Sequence, residues 1–255
     1  MGLNLDNDDI KPGNYYSSPE EVHAYDAIRD LMASSPIPRR ETLGNLGLYL
    51  TRASMARLLF MHRLYWAILH SHGVIMEFGV RWGQNLALFM TFRTIYEPQN
   101  ISRKIVGFDT FEGFPSITSE DGETASHGVC NVTPHYDTYL EQLLKTHESL
   151  APRSHIQKFE LVKGDVVQTL PQYLERRPET IIALAYFDLD LYQPTKTCLE
   201  LIRHRLAKGS ILAFDELNME AFPGETIAAL EVLGLKDHKL IRDPIVPHQS
   251  YMVME

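Results

Sequence analysis

The sequence predicts an α/β fold, a mostly parallel seven-stranded sheet with helices on both faces. Three observations carry that expectation. From Gly73 onward short β-rich runs alternate with helical stretches. The early runs are almost continuously apolar, as strands covered on both faces must be. Two last runs close the chain with no helix between them, the pattern of an antiparallel pair.

The elements follow in order. Val74-Ile75-Met76-Glu77-Phe78-Gly79 reads as a buried strand, followed by a helix from about Gln84 to Ile95. Lys104 to Asp109 is the second strand; a polar, irregular stretch then leads to a helix over Tyr136 to Leu150. Phe159 to Lys163 is the third strand, with a helix from Val166 to Glu175. Ile181 to Phe187 is the purest strand of all, and a helix from about Thr195 to Leu206 comes next. Ser210 to Phe214 is the fifth strand, Gly224 to Leu233 a helix, and His238 to Ile241 with Tyr251 to Met254 the closing pair.

Ahead of this region the pattern is broken at Pro12-Gly13, at Ser17-Ser18-Pro19 and at Ser35-Pro36-Ile37-Pro38. Ser18-Pro19-Glu20-Glu21 opens a short helix, with serine at the cap and proline in the first turn. Apolar residues then recur at helical spacing from Leu48 to Leu69, giving a helix that packs on the core or on another subunit. Residues 1–47 are therefore expected to be an appendage, a lid or an oligomer contact, and residues 48–255 the main domain.

Composition removes several function classes. The net charge is -9 and no Lys/Arg block stands out, which argues against nucleic-acid binding. Two cysteines, Cys130 and Cys198, make neither a disulfide framework nor a zinc site. No apolar run has membrane-spanning length, Met1 to Ile10 is acidic rather than leader-like, and Asp6 occupies the position where a myristoylation signal needs Ser or Thr. The expectation is a cytoplasmic protein with no membrane partner, self-associating as a homo-oligomer through its apolar N-terminal helix.

In parallel sheets of this kind ligands bind outside the carboxyl ends of the strands, so functional side chains should fall there. The first strand runs into Gly79-Val80-Arg81-Trp82-Gly83-Gln84-Asn85, where glycine admits a ligand to the backbone and a helix N-terminus offers free N–H groups. An ordinary turn is the competing reading, since the full GxGxxG fingerprint is missing. Asp109 ends the second strand, where dinucleotide folds hold a ribose and Phe111 can stack on a base, with a helix-capping role the equal alternative. Asp165 ends the third strand and either receives an adenine amino group or caps the next helix. The fourth and fifth strands end in Asp188-Leu189-Asp190 and Asp215-Glu216. Four carboxylates on adjacent strand ends persist only with a cation or with shifted pKa values, and hard oxygen ligands suit Mg2+. The histidines are scattered, and the Gly-x-Ser-x-Gly nucleophile elbow is absent.

Glu77-Phe78-Gly79-Val80-Arg81-Trp82-Gly83, then Phe108-Asp109-Thr110-Phe111-Glu112-Gly113-Phe114-Pro115, resembles the macrocin O-methyltransferase family, whose members methylate deoxysugars of antibiotics. Phe187-Asp188-Leu189-Asp190-Leu191-Tyr192 with Thr195 resembles that family's Asp-Gly-Asp-Leu-Tyr signature, and Phe214-Asp215-Glu216 its paired acids. The likeness runs from about Arg57 to the C-terminus. It implies a Rossmann-like class I methyltransferase that uses S-adenosylmethionine on a sugar-containing small molecule.

Carried over by position, Gly79 and its turn would hold the methionine moiety, Asp109 the ribose and Asp165 the adenine. Glu77, Val80, Gly83, Asn85, Thr110, Phe111, Val166 and Asp188 complete the implied cofactor set. Asp188, Asp215 and Glu216 match the implied Mg2+ ligands, with Asp188 also the general base. Three positions depart from the family pattern: Leu189 stands for Gly, Gln84 for a second Gly, and Glu216 for Asp. Two rival readings stay open on the residues alone. One is a nucleotide-sugar glycosyltransferase using Asp188-Leu189-Asp190 as its DxD, the other a nucleotide-binding scaffold. The polar stretch Ser116 to His135 is the candidate lid.

Overall fold

In the computed structural model, which describes residues 18–255, seven strands form one sheet in the order β3-β2-β1-β4-β5-β7-β6. The Pro12-Gly13 break and the acidic start lie outside the described residues. The strands are β1 (Val74–Phe78), β2 (Ile105–Asp109), β3 (Phe159–Lys163), β4 (Ile182–Phe187), β5 (Leu206–Phe214), β6 (Ile241–Arg242) and β7 (Ser250–Val253). The first five are parallel; β7 runs antiparallel to both β5 and β6. Strand order reverses between β1 and β4, and that is where a doubly wound sheet opens a crevice.

Register explains the rim. Phe108, Phe78, Phe187 and Phe214 lie side by side across β2, β1, β4 and β5. Their rings follow at centroid separations of 5.3, 5.0 and 5.1 Å, and all four are buried. Such pairs each contribute about 0.5–1.5 kcal/mol beyond area burial. One residue further on, the same row reads Asp109, Gly79, Asp188, Asp215. It is laced by Gly79 N–H to Phe108 O (2.9 Å), Asp188 N–H to Phe78 O (2.8 Å) and Asp215 N–H to Phe187 O (3.0 Å). Because side chains alternate between faces, a row of acids directly follows the phenylalanine row on the opposite side.

The helices are α1 (Pro19–Ala33), α2 (Arg52–Ala67), α3 (Gln84–Tyr96), α4 (Tyr136–Ser149), α5 (Val166–Arg176), α6 (Tyr192–Ile202) and α7 (Gly224–Leu233). The phenylalanine face packs under Leu170, Tyr173 and Leu174 of α5, Cys198, Leu199 and Ile202 of α6, and Ala229 of α7. On the other face a Cβ at Gly107 would meet Leu86 of α3 at 2.7 Å, so glycine lets α3 lie close to β2. Tyr65 of α2 stacks on Phe89 of α3 with centroids 6.4 Å apart.

The chain divides into two compact units, Met1–Ala56 and Arg57–Glu255. In the first, Ser18 caps α1 as expected: its hydroxyl accepts the Glu21 N–H (3.3 Å) while the Glu21 carboxylate accepts the Ser18 N–H (2.9 Å). The expected helix from Leu48 to Leu69 is shorter in the structure. Leu43–Tyr49 forms 3-10 turns, Leu50 is extended, and Thr51 accepts the Ser54 N–H at 3.2 Å to start α2 at Arg52. Among the described residues no helix is long and apolar enough to cross a membrane.

Other boundaries moved too: α6 ends at Ile202, short of the expected Leu206, and the strand expected over His238 to Ile241 is Ile241–Arg242. β5 begins at Leu206 rather than Ser210, because Ile182 pairs with Leu206 while Leu184 pairs with Ile211, leaving a bulge closed by Ser210 Oγ donating to Ile182 O at 2.7 Å. α6 begins at Tyr192 rather than near Thr195, since its first N–H finds an acceptor in Asp121, from the stretch between β2 and α4, at 2.5 Å.

Candidate functional site

The site grows out of the row of strand ends. Asp188 follows β4, Asp215 and Glu216 follow β5, and each offers a carboxylate oxygen within 4.8 Å of the other two. Asp215 is buried, Asp188 and Glu216 half-buried. The parallel pairing of Phe187 with Phe214 brings these distant residues together.

A cation is already present. Arg57 of α2 donates from Nη2 to Asp188 Oδ2 at 2.8 Å and from Nη1 to Asp215 Oδ1 at 3.0 Å and Oδ2 at 3.3 Å. Its Nε reaches Asn85 Oδ1 at 3.3 Å, and Asn85 Nδ2 donates to Glu77 Oε1 at 2.8 Å. Asp215 also accepts from Tyr186 Oη and, at 3.1 Å, from Gln249 Nε2. Sequence reasoning missed Arg57, Tyr186 and Gln249. A signal for Arg57 existed: it precedes the buried Phe60, Met61 and Leu64 by three, four and seven residues, so a charge stands on the core-facing stripe of its helix.

Burial and crowding govern the charges here. Burial pushes the Asp188 carboxyl well above the usual carboxylate range, Asp215 adds to the shift, and Arg57 opposes it. Burial raises Glu216 likewise, helped by the neighbouring Asp190. Asp190 itself is raised by burial, with its neighbour Glu216 pulling the other way. Glu225, fully buried at the start of α7, is raised by burial and accepts the Glu216 N–H at 3.1 Å. Burial works against the charge on Arg57, but Asp215, Tyr186 and Asp188 hold its pKa well above the ordinary value. One oxygen on each of Glu77, Glu216 and Glu225 is buried without a partner among the described residues.

The glycine turn after β1 is shaped by Asp109. Its Oδ2 accepts the N–H groups of Val80 (2.6 Å) and Arg81 (2.7 Å), and Oδ1 accepts that of Phe111 (2.6 Å). Gly79 and Gly83 have φ of +87° and +76°; Gly83 heads α3. Asn85 and Glu77 are buried beneath this turn, Val80 and Phe111 flank it, and Thr110 closes the next turn by donating to Gly113 O at 2.8 Å. Asp165 caps α5, accepting the Val167 N–H at 2.9 Å, with Val166 buried behind it. β3 keeps this corner next to Asp109 through Gly164 N–H to Asp109 O at 2.8 Å.

The structure thus gathers the sequence-predicted residues into two groups that share an edge. Glu77, Gly79, Val80, Gly83, Asn85, Asp109, Thr110 and Phe111 surround the turn after β1; Asp188, Asp215 and Glu216 form the acidic cluster, and Arg57 with Asn85 joins the two. Asp165 and Val166 follow β3, with two strands between it and β4, at the start of α5. Asp190, the second acid of the DxD, has φ of +61°, is buried, and does not join the three clustered oxygens although it neighbours Glu216.

Comparison with solved structures follows the same lines. The chain is similar to CalS11, a calicheamicin methyltransferase, at 46% identity over 99% of this chain and 98% of that one, with a TM-score of 0.91. An apo structure of CalS11, a TDP-rhamnose 3'-O-methyltransferase in calicheamicin biosynthesis, matches at 45% identity over 93% and 96% of the two chains, with a TM-score of 0.84. The O-methyltransferase NovP shares the fold at 16% identity, 78% and 79% coverage and a TM-score of 0.60. No protein-family model matches the chain, and no curated protein does.

Proposed function

The chain belongs to the macrocin O-methyltransferase family, the antibiotic deoxysugar O-methyltransferases that include CalS11, and from that premise we propose that it methylates a hydroxyl of a nucleotide-linked deoxysugar with help from Mg2+ at its acidic rim. One observation carries the reading: three carboxylates converge within 4.8 Å at the carboxyl edge of β4 and β5, beside the crevice where strand order reverses.

The residues present fit a hard divalent cation. All three donors are carboxylate oxygens, and Glu216 Oε2 is buried with no partner among the described residues. Asp188, Asp215 and Glu216 would hold the ion. When bound, S-adenosylmethionine supplies an electrophilic methyl group, and the cation supplies Lewis acidity that makes an acceptor hydroxyl easier to deprotonate.

The chain's own residues do the rest. The turn after β1, held by the positive φ of Gly79 and Gly83, would meet the cofactor's methionine end, with Asn85 and Glu77 beneath it. Asp109 and Asp165 stand at successive strand ends where ribose and adenine would lie. Asp188 lies in the row next to Gly79 and is the group placed to accept the hydroxyl proton. Holding donor and acceptor in one line contributes much of the rate. The stretch Ser116 to His135, tethered to the rim by Asp121, would exclude water as a lid.

The test is direct. Incubation with S-adenosylmethionine and a panel of TDP-deoxysugars should yield a methylated sugar nucleotide by mass spectrometry. No product with any sugar nucleotide, alongside product from a glycosylated aglycone, would move the acceptor to the finished antibiotic.

A further inference from the structure

The acceptor capacity of Asp215 is full. An ionised carboxylate offers about four lone-pair positions. Oδ1 receives Tyr186 Oη and Arg57 Nη1 at 3.0 Å; Oδ2 receives Arg57 Nη1 at 3.3 Å and Gln249 Nε2 at 3.1 Å. A metal bond to Asp215 therefore requires a donor to leave. Tyr186 is fully buried and Gln249 nearly so, so neither can swing out to solvent without opening the core. The Arg57 side chain keeps 27% of its surface exposed, carries a positive charge that a divalent ion repels, and also holds Asp188 at 2.8 Å.

We propose that Arg57 is the resident counter-ion of the acidic rim, and that a divalent cation binds by displacing it from Asp215 and Asp188. The inference rests on the metal reading above. Without the cation, the guanidinium fork keeps two carboxylates close together and aligned. With the cation, that work passes to the metal, and Arg57 stays tethered only through Nε to Asn85 Oδ1 at 3.3 Å. Arg57 thus sets how tightly the rim takes a cation.

Two opposite effects follow from removing the guanidinium. The cation loses a competitor and a repelling neighbour, so it binds more tightly; the metal-free protein loses the charge that offsets its carboxylates, so it is less stable. Calorimetric titration with Mn2+ and melting temperatures in EDTA and in Mn2+ read both, for wild type, Arg57→Gln and Arg57→Lys. Arg57→Gln is expected to bind Mn2+ about ten-fold or more tightly than wild type, to melt lower in EDTA, and to gain more from Mn2+. Arg57→Lys keeps the charge without the fork and should bind Mn2+ about three-fold or more tightly than wild type but less tightly than Arg57→Gln.

Equal or weaker Mn2+ affinity in Arg57→Gln overturns the competition. Should that variant not fold even with Mn2+, Arg57→Lys decides: tighter binding supports the proposal and unchanged or weaker binding overturns it. Absence of Mn2+ binding in every protein, wild type included, removes the metal reading itself and the competition with it, whereas equal affinities throughout remove only the role of Arg57.

Discussion

A Cβ on Gly79 would lie 1.8 Å from the carbonyl oxygen of Asp188, so the turn after β1 and the end of β4 touch through bare backbone. Gly79 also has φ of +87°. Gly79→Ala is expected to destabilise the protein by about 1–3 kcal/mol from backbone strain alone, and by more from the collision. Urea denaturation should show that loss, and calorimetry should show weakened S-adenosylhomocysteine binding. Wild-type values in both would mean that the two strand ends can separate freely.

Asp188→Asn should lower turnover by about 10²–10⁴ while leaving S-adenosylhomocysteine affinity largely intact. The substitution keeps shape and removes the proton acceptor. Substantial residual methylation would take the general-base role away from Asp188.

Stripping the protein with EDTA should abolish methyl transfer, and added Mg2+ should restore it. Asp215→Asn should blunt the restoration, since one of the three clustered donors is lost. Activity indifferent to EDTA would remove the metal and leave the methyl transfer standing.

Stability has its own weak point far from the rim. Glu148 receives two bonds of 3.0 Å from Arg93 Nη2 and an ion pair of 2.6 Å from Lys158, and all three side chains are almost wholly buried. Glu148→Gln leaves two buried cations without a counter-charge and should cost about 3–5 kcal/mol in a denaturation experiment. A change below 1 kcal/mol, about the worth of a surface pair, would show that the cations find other partners.

Cys130 lies close to the acidic edge, and its thiol is pushed up to about 12, first by burial and then by the charge on Asp190. The thiolate is the reactive form. Iodoacetamide at pH 8 should therefore label the folded protein far more slowly than the urea-unfolded chain. Equal rates would show Cys130 open to solvent.

The parts of the fold that were legible share a physical cause. β1, β2 and β4 are buried runs, and burial writes itself into the sequence as nearly uninterrupted apolar residues. The start of β5 escaped because Leu206–Gly209 is only half-buried or exposed and pairs across a bulge. The start of α6 escaped because its acceptor, Asp121, lies 71 residues earlier. At the site, the acids were readable from strand ends alone. Arg57 was not, since helical periodicity marks it only as a charge on the wrong stripe, and Gln249 enters only because β7 returns antiparallel beside β5, with Ser250 opposite Phe214.

Asp109 is committed before any nucleoside arrives: three of its roughly four lone pairs already hold the N–H groups of Val80, Arg81 and Phe111. One vicinal diol has two hydroxyls to place, and a single vacancy cannot take both. In the proposed binding mode, docking the sugar of the cofactor would therefore loosen the very loop that is to cradle its amino-acid end. Loss of Asp109 would surface first as a softened loop in hydrogen exchange, even in protein that has never met its ligand.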